Sequence, residues 1–283
     1  MIIDILKDTI LDSIHILPFL FLAFFLLEMA TQPSKKIHIA LNPFLAGILG
    51  CIPQCAIPVL AVNLYSGGIL STGTLLTLLI SSTDESALIL FKDPHGRKVF
   101  LPMLITKFII SVIVGYFVDV FLKDKFTPPQ QAAACECHSC HHSHGVFLAA
   151  LRHTAELFIY LFICSFGLGL LLELTGIDTL TRILLGGSVL QPLLTALIGL
   201  IPNCAASLLL CELYLDNLIG FSALTAGLCS SCGVGLLVLL KTKIRKKEVG
   251  KLVGFLYLAS AVSGMIFSIF LQIITTRPTG GLL

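Results

Sequence analysis

A segment of 43 residues occurs twice in this chain. Gly50 to Lys92 returns without a gap, 149 residues later, as Gly199 to Lys241, with 15 identical pairs. The pairs include Pro53/Pro202, Cys55/Cys204, Tyr65/Tyr214, Ser81-Ser82/Ser230-Ser231 and Lys92/Lys241, which shared leucine content cannot supply. A repeat of this length dictates the plan of the fold before any local propensity does. The register continues at Pro43/Pro192, Lys98/Lys247 and Gly115/Gly264, and at an offset of 145 Leu6, Thr9 and Glu28 match Leu151, Thr154 and Glu173. The chain therefore divides into a first transmembrane repeat at 1–122, a polar Cys/His-rich linker at 123–145 and a second transmembrane repeat at 146–283.

The repeats must live in lipid. The chain is 56% hydrophobic and 12% charged with a mean hydropathy of +0.99, against about 25% charge in a soluble domain. Apolar runs at 14–30, 39–65, 69–91, 99–122, 146–174, 190–214, 218–240 and 249–274 approach the ~20 residues that a crossing helix needs. The expected class is an all-α integral membrane protein with the lipid bilayer as its first partner. Asp4, Lys7, Asp8 and Asp12 precede the first run, which lacks the basic head and cleavage site of a signal peptide and reads as a retained helix. A net charge of +2 says little, but its placement says more. Lys241, Lys243, Arg245, Lys246, Lys247 and Lys251 crowd one connection, which the positive-inside bias assigns to the cytoplasm. A bacterial inner (cytoplasmic) membrane is the expected location.

Each repeat carries two interruptions. The run from Ile39 to Tyr65 is broken by Pro53-Gln54-Cys55, and its partner by Pro202-Asn203-Cys204. The arms on either side are too short to cross alone, so the segment is one kinked helix or a re-entrant hairpin. A hairpin leaves three crossings per half and inverts the repeats; a kinked span leaves four and keeps them parallel. The parallel model puts Lys92, Arg97 and Lys98 on the cytoplasmic side as well. The inverted model follows the transporter pattern in which paired broken segments meet at the midplane, and is the expectation adopted. The second interruption is Ser81-Ser82-Thr83-Asp84-Glu85, aligned with Ser230-Ser231-Cys232-Gly233. Hydroxyls can satisfy backbone groups freed by unwinding.

These interruptions hold the chemistry. Asp84 and Glu85 are adjacent carboxylates in an apolar span, and Glu212 is a third acid in another; ionisable groups at depth mark a pathway or site. Cys55 and Cys204 occupy equivalent tips, and Cys229 and Cys232 form a C-x-x-C. Thiolates select soft ions such as zinc or copper(I), and carboxylates suit manganese and magnesium. The bland alternatives are that Asp84-Glu85 lies at an interface and that cysteine merely packs, which is the preferred reading for Cys51 and Cys164. Expected substrate contacts are Pro53, Gln54, Cys55, Ser81, Ser82, Thr83, Asp84, Glu85, Pro202, Asn203, Cys204, Glu212, Ser230 and Ser231. Expected metal ligands at depth are Cys55, Cys204, Cys229, Cys232, Asp84 and Glu85.

The linker is a separate matter. Cys135, Cys137, His138, Cys140, His141, His142 and His144 fall within ten positions, a tract read as metal-binding. No cofactor is required, and this linker is where a zinc, manganese or similar ion would sit, in capture or sensing. Helix N-termini at the tips would equally suit an anion. Phosphate loops, nucleotide motifs and catalytic triads are absent from the sequence, so no enzymatic activity is expected.

The two copies of Ile-Pro-x-Cys-Ala with a downstream polar break resemble the ten-helix heavy-metal exporter family, whose members carry the labels arsenic efflux protein and manganese transporter. That family has an I-P-G-C-G-P-Q and an S-Q-D-G-D-A-L segment in each half. Ile52, Pro53, Cys55, Pro58 (shifted by one), Ser82, Asp84, Ala87 and Leu88 fall on the pattern, as do Ile201, Pro202, Cys204, Ser231 and Leu237. Gln54 and Asn203 replace a glycine, and Gly233 stands where the second aspartate would be. The resemblance covers both repeats but not the linker. It implies a secondary transporter exporting a heavy-metal ion or arsenite by alternating access. An organic-anion or other small-solute transporter and a non-transporting membrane metal sensor are the alternatives. A small ion or solute is the expected ligand, nucleic acid is not expected, and a homodimer is admitted.

Overall fold

The computed structural model describes residues 41–54, 56–84, 86–122, 190–202, 204–242 and 244–276, with a few single positions at 18, 21 and between 151 and 163. Cys55, Glu85, Asn203, the side chain of Cys204 and the whole Cys/His linker lie outside what is described. The described elements are helices: α1 (Pro43–Gly50), α2 (Ala56–Ser66), α3 (Thr72–Ser81), α4 (Ser86–Lys92), α5 (Pro94–Phe121), α6 (Gln191–Gly199), α7 (Cys204–Leu215), α8 (Phe221–Ser230), α9 (Val234–Lys241) and α10 (Lys246–Thr276). No strand forms among the described residues; one isolated bridge pairs Pro53 with Thr83. Three runs, Gly96–Phe121, Phe221–Lys241 and Lys246–Ile269, are long and apolar enough to cross a bilayer. The middle run, made of α8 and α9 with the break between them, is 94% buried in its apolar window, whereas the outer two are 22% and 28% buried. It is the axis of the bundle, and α5 and α10 are its rim.

Local geometry recurs at the spacing of the sequence repeat. Between α2 and α3, Gly67, Gly68 and Ile69 donate to the carbonyls of Asn63, Tyr65 and Leu64; between α7 and α8, Asp216, Asn217 and Leu218 donate to those of Glu212, Tyr214 and Leu213. Both turns need one left-handed residue after the helix, and Gly68 (φ 71°) and Asn217 (φ 58°) supply it. Packing recurs too. A Cβ on Gly115 would meet Thr77, Gly73 and Pro43; one on Gly264 would meet Ala226, Ser222 and Pro192, each 149 positions on.

Hydrogen bonds fix the directions. Thr74 Oγ1 donates to the Leu41 carbonyl and Gly50 abuts Ser81, so α1 runs alongside α3 in the same sense. Tyr65 at the end of α2 pairs with Thr72 at the start of α3, so α2 returns to the level where α1 began. The α1–α2 pair thus forms a bend whose tip reaches only the end of α3. In the other half Gln191 bonds with Leu218 and Gly220, and Gly199 abuts Gly227 and Ser230, giving α6 and α7 the same relation to α8. Against α3 and α4, α5 runs back: Asp119 meets Ser71 and Gly73, Ser111 meets Thr77, and Lys107 meets Ser82.

The described helices of the two halves interlock. Leu90 and Phe100, at the far end of the first half, share a core with Leu213, Ile219 and Ala223 at the start of α8. Tyr65 and Val118, at its near end, share one with Leu239, Val249 and Leu252 at the end of α9 and the start of α10. The α3–α4 and α8–α9 paths therefore run in opposite senses. In addition α4 packs on α7 and α9 packs on α2; a Cβ on Gly235 would lie 2.5 Å from that of Pro58. Each arm beyond a break rests on the opposite half.

Candidate functional site

The break after α3 begins with Ser82, whose backbone (φ −54°, ψ 132°) leaves the helix after its N–H has bonded to the Leu78 carbonyl. The break after α8 begins in the same way at Ser231, whose N–H bonds to Gly227. Side chains then cover part of the exposed backbone: Thr83 Oγ1 donates to the Ser81 carbonyl at 3.1 Å, and Cys232 Sγ, its counterpart, to the Ser230 carbonyl at 3.3 Å. The tip of the α1–α2 bend closes onto the first break, with the Gln54 N–H donating to the Thr83 carbonyl at 2.9 Å. That bond and the Pro53–Thr83 bridge hold two stretches of irregular backbone against each other, which satisfies groups that lipid cannot.

Both breaks open onto one small cleft, lined by Gln54, Pro58, Ser82, Thr83 and Asp84 from the first half and Ser231, Cys232, Gly233 and Val234 from the second. Asp84 anchors it. Its carboxylate accepts from Ser86 in its own half and from Ser207 of α7 in the other, and the Cys211 thiol, one turn along α7, is in hydrogen-bonding contact with Ser86. Lys107 of α5, fully buried, donates from Nζ to the Ser82 carbonyl at 2.6 Å. One acid and one base thus sit within two residues of each other's contact points. The breaks differ at their centres. Gly233 takes φ 48° and ψ −130° with open space around a would-be Cβ, a conformation that glycine adopts without strain, whereas the aligned Asp84 is not among the left-handed residues.

The sequence-derived residues divide accordingly. Gln54, Ser82, Thr83, Asp84, Ser231 and Cys232 border the cleft. Ser81 and Ser230 are fully buried and spend their hydroxyls on the carbonyls of Thr77 and Ala196; they are packing groups under Gly50 and Gly199. Cys229 is buried within α8 while Cys232 lies beyond its end, so the C-x-x-C is not the single helical face that i, i+3 spacing suggests. Glu212 is exposed on α7 and does not border the cleft. Pro53 pairs with Thr83, and Pro202 is half-buried at the corresponding bend. Among the described residues no three His, Cys, Asp or Glu gather in a metal-holding group. The structure adds Ser207, Cys211 and Lys107. Ser207 stands where the first copy has Pro58, and Cys211, seven positions beyond Cys204, where it has Val62, so each puts a polar or soft atom at a position that is apolar in the other copy.

A family described as "Putative, 10TM heavy-metal exporter" matches residues 13–179, 167 of the 283. The chain belongs to this exporter family. The matched stretch contains the first copy of the repeated segment, Asp84 and Lys107 included, and the Cys/His linker; it ends before the second copy. The motif resemblance, in contrast, covers both copies and leaves the linker out. No curated protein and no solved structure matches the chain. Membership together with the apolar spans makes the chain an integral membrane protein of a transporter family.

Proposed function

We propose that this member of the exporter family is a secondary transporter that carries a heavy-metal ion or arsenite outward by alternating access, with the cleft between the two breaks as its binding site. The observation that carries the reading is the meeting of Asp84, Thr83 and Gln54 from one half with Ser231 and Cys232 from the other. A carboxylate, hydroxyls and a thiol are a donor set for a thiophilic or divalent species, with Cys55, Cys204 and Glu85 as further ligands. Substrate held by both halves is released when they move relative to each other, which is what alternating access requires.

In this reading the halves are inverted repeats and the α1–α2 and α6–α7 bends are re-entrant hairpins entering from opposite faces, a view supported by the opposite senses of α3–α4 and α8–α9. The end of α5 and the start of α10 then share a face. By the excess of Lys and Arg between Lys241 and Lys251 that face is cytoplasmic, and the Cys/His linker after Leu122 lies there, placed to capture a metal ion before export. A second reading, an organic-anion carrier, is favoured by Lys107 and by the N-terminus of α9 at the cleft.

Flux into proteoliposomes holding the full chain tests both readings with arsenite, zinc and a dicarboxylate as probes. Uptake of arsenite or zinc that falls at least about tenfold in Asp84→Asn and in Cys232→Ala is the expected result. Undiminished flux in both variants removes the proposed site, and dicarboxylate flux alone selects the second reading.

A further inference from the structure

Lys107, which bonds to the Ser82 carbonyl behind the cleft, is given no task by the binding of a metal ion there. It lies inside the apolar run Gly96–Phe121 and is 2% exposed, and a charge in that setting is expensive enough to imply a role. Among the described residues its ammonium pairs with no carboxylate. It bonds at 2.6 Å to the carbonyl of Ser82, a backbone oxygen at the point where α3 stops and the helical succession of donors ends. Such carbonyls at unwound segments are the groups on which ion-coupled carriers hold free sodium ions or protons.

The other half shows what the position is without the charge. Leu256, 149 residues on, is 1% exposed and is flanked by the matched pairs Lys98/Lys247 and Gly115/Gly264. The Ser231 break accordingly has no ammonium from that position, and its hydroxyl is buried with no hydrogen-bond partner. Among the described residues a cation is thus present at one break only, the one whose next residues include Asp84.

We propose that the Lys107 ammonium is a tethered monovalent cation, bound to the first break in the place that a free sodium or potassium ion would otherwise take on the Ser82 carbonyl, so that the folded site needs neither ion. This rests on the transport reading only in treating the break as the working site; loss of flux in every probe would end that reading and leave the cation measurement standing.

Thermal melting of the detergent-purified full chain in equimolar sodium, potassium, methylammonium and choline chloride decides the matter. The wild type is expected to melt at the same temperature in all four. Lys107→Ala is expected to melt roughly 5 °C lower in choline and to recover most of the loss in methylammonium, which fits the vacated space. Lys107→Met, which fills that space without charge, stays low in every salt. A wild type stabilised by sodium or potassium over choline overturns the proposal. So does a Lys107→Ala protein that melts alike in methylammonium and choline. If Lys107→Ala cannot be purified in choline, extraction in methylammonium replaces the melt: folded protein recovered there supports the proposal, and none recovered overturns it.

Discussion

The Ser207 hydroxyl of the second half donates to the Asp84 carboxylate of the first, across 123 positions of sequence. This bond joins the two copies at the cleft, and Ser86 holds the other carboxylate oxygen. A hydrogen bond to an ionised group contributes about 1.5–3 kcal/mol. Ser207→Ala should therefore lower the melting temperature of the wild type clearly, but change little in an Asp84→Asn background, where the bond is neutral. A double-mutant cycle reads the difference; equal losses in both backgrounds would mean that the carboxylate is not what Ser207 serves.

Two glycines at equivalent places make a sharper pair. A Cβ on Gly50 would lie 1.9 Å from Ser81 Oγ and 2.8 Å from Ser81 Cβ, whereas one on Gly199 would lie 2.0 Å from the Gly227 carbonyl oxygen as well as 2.3 Å from Ser230 Oγ. Overpacking of this kind costs about 1–3 kcal/mol, and both alanine variants should lose stability. Gly50→Ala should be rescued by Ser81→Gly, because the obstruction is mostly side chain. Gly199→Ala should not be rescued by Ser230→Gly, because backbone remains in the way. Rescue of both, or of neither, in a melting series would contradict these contacts.

The turn residues predict in opposite directions. Asn217 holds φ 58° at the place where Gly68 holds 71°, and glycine meets no steric cost there. Asn217→Gly should be neutral or stabilising by up to ~1 kcal/mol, and Gly68→Val should destabilise by more than that. Gly233, at φ 48° with nothing near, should accept alanine with a loss of about 1–2 kcal/mol from strain alone. Its effect on flux should be no larger than that stability loss implies.

Orientation follows from the paths. A thiol introduced at Asp93 and one introduced at Thr242, in a chain otherwise free of cysteine, should react with a membrane-impermeant reagent from opposite faces, Thr242 from the cytoplasm. Labelling of both from one face would reverse the antiparallel reading.

Much of this was legible in the sequence because proline and paired serines leave marks that lipid makes unambiguous. Pro53 and Pro202 lack a donor, and the Ser81-Ser82 and Ser230-Ser231 pairs recur where helices cannot be continuous; the bends and breaks lie at those residues. What was not legible depends on angle around a helix rather than position along it. Glu212 sits one residue beyond Cys211, yet Cys211 is buried near Asp84 and Glu212 faces outward. Cys229 and Cys232 share a spacing but not a surface, since the helix ends between them. Lys107 could be seen as a lone base in an apolar run, but its partner is a main-chain carbonyl 25 residues away, and a backbone oxygen has no signature in the sequence.

The interlocking of α4 on α7 and of α9 on α2 also sets a timetable for synthesis. Asp84 leaves the ribosome 123 residues ahead of Ser207, which at ~5–20 residues per second is a delay of roughly 6–25 s. Throughout that interval α4 has no α7 to rest on and the carboxylate has its neighbour Ser86 but not Ser207. The first copy must wait in the membrane, unfinished, until the second arrives to complete it.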